Sequence, residues 1–249
     1  MYRLTFSADE DLLDVVLPLL PGGVRAEDDD VFVAYSGAPF AAAVLEATGG
    51  EVAEVPADWK QRRMSAGVVI GPVCIRSPFD RESDAPIEVI VERRGSAFGS
   101  GSHPTTQMCV ALLLELEVGG AVADLGCGVG TLAIVAAKLG WRPVAGVDRV
   151  PVAIEVAHEN AARNGVDVSF AVADLAVDDV PLAPLLLVNA PPPVHERVAA
   201  AVDESVRHVI VSGIVSHEVE GVVQGYAGFE VTKGLGTEDE WIALRLSRS

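Results

Sequence analysis

Apolar residues in the later part of the chain fall into two alternating patterns: short continuous runs, and longer stretches spaced three and four apart. Ala121 to Leu125 is a run, Thr131 to Leu139 a helical stretch closed by Gly140, and Pro143 to Val147 a second run. A helix over Pro151 to Arg163 stopped by Asn164-Gly165 comes next, then strands over Val168 to Val172 and Pro184 to Val188. Val194 to Val202, Val206 to Val211 and His217 to Tyr226 follow as helix, strand and helix. Strands that alternate with helices predict an α/β fold on a largely parallel sheet. Pro184 to Val188 is nearly all apolar, which predicts a central strand covered on both faces. Phe229 to Thr232 and Trp241 to Leu246, joined by Gly234 to Glu240, predict a closing hairpin and so one antiparallel strand in the sheet.

The beginning of the chain has a different pattern. Tyr2 to Phe6 alternates like a strand, and Leu12, Leu13, Val16, Leu19 and Leu20 give Ala8 to Leu20 helical spacing. Short strands at Val24 to Ala26 and Val31 to Tyr35, a helix at Ala41 to Ala47 and a strand at Glu51 to Val55 follow. The order βαββαβ predicts a small ferredoxin-like α+β domain over residues 1–57. Residues 58–95 read as a linker merging into a β-hairpin extension, with strands at Val68 to Ile70, Val73 to Ile75 and Ile87 to Val91. Residues 96–249 form the α/β domain described above.

Composition narrows the function classes. With 50% hydrophobic residues in 249, a small and a medium domain can each bury a core. No apolar run approaches the ~18 residues of a membrane span. The opening MYRLTFSADEDLLD has acids where a signal peptide has basic residues, so a cytoplasmic protein is expected. Cys74, Cys109 and Cys127 form no metal-ligand spacing, and none is expected. The net charge of −18 argues against binding a phosphate backbone. Residues 1–55 hold eleven acids against Arg3 and Arg25, a net −9, half of the total. That is either a solvated surface or an adaptor for a basic protein.

The candidate chemistry lies after the first run. Gly126-Cys127-Gly128-Val129-Gly130 joins strand to helix, and Asp148 ends the next strand. Strand, glycine loop, helix, strand and acid make the first half of a nucleotide-binding unit. The acid is placed to accept from both ribose hydroxyls of an adenosine. A dinucleotide loop has its third glycine three residues after the second. Here Gly130 comes two after Gly128, and Thr131 holds the dinucleotide position. The tighter loop suits the phosphate-free methionine-ribose end of S-adenosylmethionine, and a plain tight turn is the alternative. Asp124, Cys127 and Arg149 are further candidate contacts, with Asp174 placed to meet an adenine amino group. Asn189 opens the loop Asn189-Ala190-Pro191-Pro192-Pro193 beside the glycine loop's strand. Ser96 to Thr106, a small, glycine-rich stretch, reads as a ligand wall carrying Phe98 and Thr106. His103 in this stretch is a second catalytic candidate beside Asn189, although a lone histidine more often caps or fills.

These stretches resemble the PrmA family, bacterial methyltransferases that act on the eleventh protein of the large ribosomal subunit. The likeness runs from about Asp58 to the C-terminus. It is carried by AFGSGSHPTT (AFGTGTHPTT in the family), DLGCGVGTLAIVAAKLG, GVDRVPVAIEVAHENAARNGV, and the closing SGI and EWIALRL. The resemblance implies a Rossmann-like class I methyltransferase sheet, with cofactor residues at Thr106, Gly126, Asp148 and Asn189. It also implies an N-terminal domain that grips a ribosomal protein, methylated on lysine or α-amino groups, and the chain is expected to be a monomer. One loop departs from the family, which has Asn-Ile-Leu-Ala where this chain has Asn189-Ala190-Pro191-Pro192. That moves towards the Asn-Pro-Pro-aromatic loop of amine and amide methylases, with Ala190 inserted and His195 in place of the aromatic.

Methyl transfer from a sulfonium needs a neutral amine. An α-amine, with a pKa of about 7.7–8.0, needs little help, and a lysine, at about 10.4, is lowered by desolvation beside a second cation. No strong base is required, so acceptors on Asn189 and the proline-loop backbone are expected to orient the amine. Two other readings stay open: a methyltransferase for a different amine acceptor, protein or small molecule, and a non-catalytic cofactor-binding docking protein.

Overall fold

A computed structural model describes residues 2–20, 24–28, 31–36, 38–54, 66–92 and 101–248. The chain divides into two compact units, Met1–Met64 and Ser65–Ser249. The boundary expected after residue 57 and the one expected after residue 95 both lie outside the described residues.

The first unit contains β1 (Tyr2–Ser7), α1 (Glu10–Val16), β2 (Arg25–Asp28), β3 (Val31–Ser36), α2 (Ala42–Thr48) and β4 (Glu51–Glu54). Its sheet has the order β2-β3-β1-β4, with every neighbouring pair antiparallel. Leu4, Phe6, Val16, Leu20, Ala34 and Val44 form its core. Asp9 caps α1, accepting from the Leu12 N–H at 2.9 Å. The first helix is shorter than its apolar spacing predicts. It gives way to a 3₁₀ turn over Leu17–Leu19, because Pro18 has no N–H with which to continue the ladder.

The second unit opens with a three-stranded sheet of β5 (Val68–Ile70), β6 (Val73–Arg76) and β7 (Ile87–Ile90). Its main sheet contains β8 (Val122–Leu125), β9 (Val144–Asp148), β10 (Ser169–Val172), β11 (Leu185–Asn189), β12 (His208–Val215), β13 (Glu230–Gly236) and β14 (Trp241–Ser247). The order is β10-β9-β8-β11-β12-β14-β13. The five strands from β10 to β12 are parallel, and β14 runs antiparallel between β12 and β13. The Rossmann-like sheet with its terminal hairpin is therefore present. Strand order reverses between β8 and β11, and in open α/β sheets the crevice at such a point takes the ligand.

The helices are α3 (Pro104–Leu113), α4 (Thr131–Leu139), α5 (Pro151–Asn164), α6 (Pro192–Ala201) and α7 (Val219–Gly225). Successive strand side chains point to opposite faces. Leu185 and Leu187 of β11 thus join the core built with α3, α4 and α5, while Leu186 and Val188 join the one built with α6 and α7. All four are buried, as a central strand requires. Among the described residues no helix is long and apolar enough to cross a membrane.

Three elements differ from the sequence expectation. α6 starts at Pro192 rather than Val194, since prolines in a first turn give up only an N–H that has no helical partner anyway. The expected helix from His217 begins as a 3₁₀ turn, Ser216–Glu218, with the Glu218 carboxylate accepting from Val215 N at 2.9 Å. The last hairpin is longer than expected: Gly234 and Gly236 stay in β13, because Leu235 between them rests on the core.

Two asparagines tie the small sheet to α5. Asn164 accepts from Ile90 N at 2.8 Å and donates to Ile90 O at 2.6 Å. Asn160, four residues earlier, accepts from Glu92 N and donates to Glu92 O, both at 2.9 Å. The Asn160 amide also donates to Val129 O at 3.1 Å, so one fully buried side chain joins the segment just after β7, α5 and the glycine loop.

Candidate functional site

Four polar residues stand along the carboxyl ends of adjacent parallel strands: Asp124 in β8, Asp148 closing β9, Asp174 just beyond β10 and Asn189 closing β11. Beside them a pocket of about 290 Å³, open solvent included, is lined by Thr106, Asp124, Gly126, Cys127, Gly128, Thr131, Leu132 and Asn189. Six of these were expected from the sequence; Thr131 and Leu132 were not. They form the first turn of α4, and Thr131 had been singled out only as the residue replacing a dinucleotide glycine.

The glycine loop is tight for a steric reason. Gly126, Gly128 and Gly130 all have positive φ, at 82°, 53° and 84°. A Cβ on Gly130 would come within 2.7 Å of the Phe170 ring, so a larger residue there would push β10 away from the loop.

Asp124 is 1% exposed, and its Oδ2 accepts from Ala133 N at 3.0 Å, on the first turn of α4. Burial raises its carboxyl to about 7, the bond from Ala133 opposes this, and the Asp148 charge adds to the rise. Between about pH 4 and pH 7 the folded chain therefore keeps a proton that the unfolded chain has lost, and stability falls as pH rises through that window. Asp124→Asn keeps an oxygen for Ala133 and removes the buried charge. The variant is expected to match the parent near pH 4 and to exceed it by about 4 kcal/mol at pH 8, as read from thermal unfolding at each pH. Parallel pH profiles for the two chains would show that Asp124 does not titrate in this range. The Cys127 thiol is pushed up by burial and stays protonated, a filler of the loop and not a nucleophile.

Asp148 is half-buried and uses both oxygens on backbone. Gly128 N donates to Oδ2 at 2.8 Å and Val150 N to Oδ1 at 3.0 Å, so the acid also sets the shape of the glycine loop. Asp148 is outside the pocket's lining, one strand over, at the height of the loop given by the pairing of Leu125 with Val147. Asp174 accepts from Ala176 N at 2.9 Å and starts a turn beyond β10, while Arg149 is exposed beside Asp148. Each carboxylate keeps lone pairs for a ligand.

Phe98 lies outside the described residues. Thr106 is 2% exposed and lines the pocket from α3. His103 is the N-cap of α3, its Nδ1 2.7 Å from Thr105 Oγ1 and its ring edge-on to Trp241 at 5.1 Å. It does not line the pocket, and burial holds its imidazole below the ordinary value. Asn189 does line it, on a backbone fixed by the pairing of Asn189 with Ser212 and by a bond from Ala190 N to Ser212 O at 3.0 Å.

The family model described as "Ribosomal protein L11 methyltransferase (PrmA)" matches residues 52–249. The ribosomal protein L11 methyltransferase of Geobacter sulfurreducens is 35% identical over 229 residues, which cover 86% of this chain and 72% of that protein. The one from Cupriavidus taiwanensis is 36% identical over 181 residues, 69% of this chain, and the match spans 59% of that protein's length. Among solved structures, the ribosomal protein L11 methylase of Lactobacillus delbrueckii subsp. bulgaricus has a TM-score of 0.65 at 26% identity, covering 74% of this chain and 98% of that one. The chain belongs to the ribosomal protein L11 methyltransferase (PrmA) family.

Proposed function

We propose that the chain is an S-adenosylmethionine-dependent N-methyltransferase that works in the cytoplasm on lysine or α-amino groups of a basic large-subunit ribosomal protein. The observation that carries this is the Asp124 carboxylate seated on the Ala133 amide in the first turn of α4. A dinucleotide's pyrophosphate would need that helix end and would meet a buried acid there. A cofactor with an α-ammonium group and no phosphate suits it. When bound, S-adenosylmethionine supplies a methyl carbon on a sulfonium, open to in-line displacement by a neutral amine.

The residues fit separate parts of that ligand. Asp124, Thr106 and the glycine-loop backbone would hold its amino-acid end, Asp148 its ribose hydroxyls and Asp174 its adenine amino group. Asn189 would accept from the acceptor's N–H and aim its lone pair into the pocket. The acidic residues 1–55 would draw in the basic protein. A different amine acceptor is the second reading, favoured by Pro191 and Pro192, which stand at the N-cap and first position of α6 where the family has Leu-Ala.

The test is transfer from methyl-labelled cofactor to purified large-subunit ribosomal proteins, with one basic protein expected to take the label. No label in any of them would overturn the substrate assignment. Asp148→Ala is expected to weaken cofactor binding by about 1.5–3 kcal/mol, the usual cost of losing hydrogen bonds to a charged group. Unchanged affinity by calorimetry, or tight binding of a nicotinamide dinucleotide, would refute the cofactor assignment.

A further inference from the structure

His195 lies on α6, just after the loop that carries Asn189, and is 1% exposed. Its Nε2 is 3.0 Å from Ser212 O and its Nδ1 3.2 Å from the Tyr226 hydroxyl. A carbonyl can only accept, so Nε2 carries the proton and Nδ1 accepts from Tyr226. Burial favours that neutral ring. Tyr226 is 2% exposed at the end of α7. The Ser212 carbonyl of β12 thus fixes the tautomer, and the Tyr226 hydroxyl after α7 holds the other nitrogen.

Ser212 is where these contacts converge. Its carbonyl accepts both from His195 and from Ala190 N, and its Oγ donates to Ile242 O of β14 at 2.9 Å. It also pairs with Asn189 across β11 and β12. Next to it, Gly213 has φ 78°, and β12 shifts register there. A Cβ at Gly213 would come within 2.7 Å of Ala190 N, so the strand is pressed against the backbone just after Asn189.

We infer that His195 is the positioning residue of this site: through Ser212 O, with the Tyr226 hydroxyl holding its Nδ1, it fixes the Asn189–Pro191 segment against the cofactor pocket. This rests on the methyltransferase reading given above. The ring touches neither cofactor nor acceptor, and its effect is the placement of the Asn189 side chain. A displacement of about 1 Å at such a group can cost ~10²-fold in rate.

Three full-length variants test the inference: His195→Leu, His195→Gln and Tyr226→Phe. Glutamine keeps an N–H for Ser212 O, and phenylalanine keeps the Tyr226 ring without its hydroxyl. Cofactor affinity from calorimetry is expected to stay at the parent value in all three. For transfer to the labelled ribosomal protein, kcat is expected to fall about 10²-fold in His195→Leu and roughly several-fold in Tyr226→Phe, and to recover most of its value in His195→Gln. A parent-like kcat in His195→Leu, or a glutamine variant as impaired as the leucine one, overturns the inference. If His195→Leu fails to fold, the other two decide, and a parent-like kcat in Tyr226→Phe overturns it. If the parent chain binds the cofactor but transfers no methyl group, the functional reading falls instead. The inference is then decided by the Asn189 side-chain amide resonance. That signal should move in His195→Leu, or in Tyr226→Phe, and return in His195→Gln; an unmoved signal overturns the inference.

Discussion

Replacing Asn189 with alanine is expected to lower turnover by about 10²-fold, with a much smaller effect on capture of the protein substrate. Two features make the loss large. Asn189 closes β11, a strand flanked by β8 and β12 and buried except at this end, so the backbone cannot move to bring another group into its place. Its side chain is the only carboxamide lining the described pocket, and it offers an amine an acceptor and a donor on separate atoms. Capture should depend on it little, because the charge that would attract a basic protein lies in residues 1–55. Stability should also change little, since the side chain is only half-buried and alanine is tolerated at a strand end. Steady-state kinetics on the labelled ribosomal protein separates kcat from KM. Turnover within a few-fold of the parent would leave the Asn189–Pro191 segment a structural connection only, and the amine would need another acceptor.

The sequence discloses this site unevenly, and the division has a physical basis. Strand runs and helical spacing are local, so the α/β alternation, the central β11 and the final antiparallel strand could all be read from residues near one another. The glycine loop is also local: its positive φ values need glycine whatever surrounds them. The polar residues at the strand ends follow from the alternation, because Asp148 and Asn189 close β9 and β11, and Asp124 and Asp174 lie within two residues of the ends of β8 and β10. What was not legible depends on distance along the chain. Asn160 reaches Glu92 across 68 residues and Val129 across 31, and no spacing rule distinguishes it from a polar residue on an exposed helix face. His195, given no role on sequence grounds, becomes informative only once α7 and β12 bring Tyr226 and Ser212 to its two nitrogens. Asp124 reads as a candidate contact from its place before the glycine loop, but its raised carboxyl comes only when folding buries it on the first turn of α4. Consecutive prolines misled in the other direction: Pro192 and Pro193 read as loop because they break helices, yet a first turn accepts them.

Removing residues 1–55 is expected to leave cofactor affinity unchanged and to lower kcat/KM for the ribosomal protein by about 10²-fold at low salt. Cofactor binding should survive because every described candidate contact lies at Thr106 or beyond. Capture should fail because the deleted segment holds −9 of the −18 net charge, leaving a shorter chain with half the attraction for a basic partner. The loss should fall mainly on KM, since the pocket and Asn189 stay intact. Salt gives an internal control. The Debye length shrinks from ~30 Å at 0.01 M to ~8 Å at 0.15 M, so the advantage of the full chain should narrow as salt is raised. A salt-independent gap would mean that residues 1–55 grip the substrate by apolar contact instead, through surfaces such as exposed Val15, Leu19 and Val52. A shortened chain that methylates the protein as well as the full one, at any salt, would mean that the acidic unit has no part in recruitment and that its charge serves solubility alone.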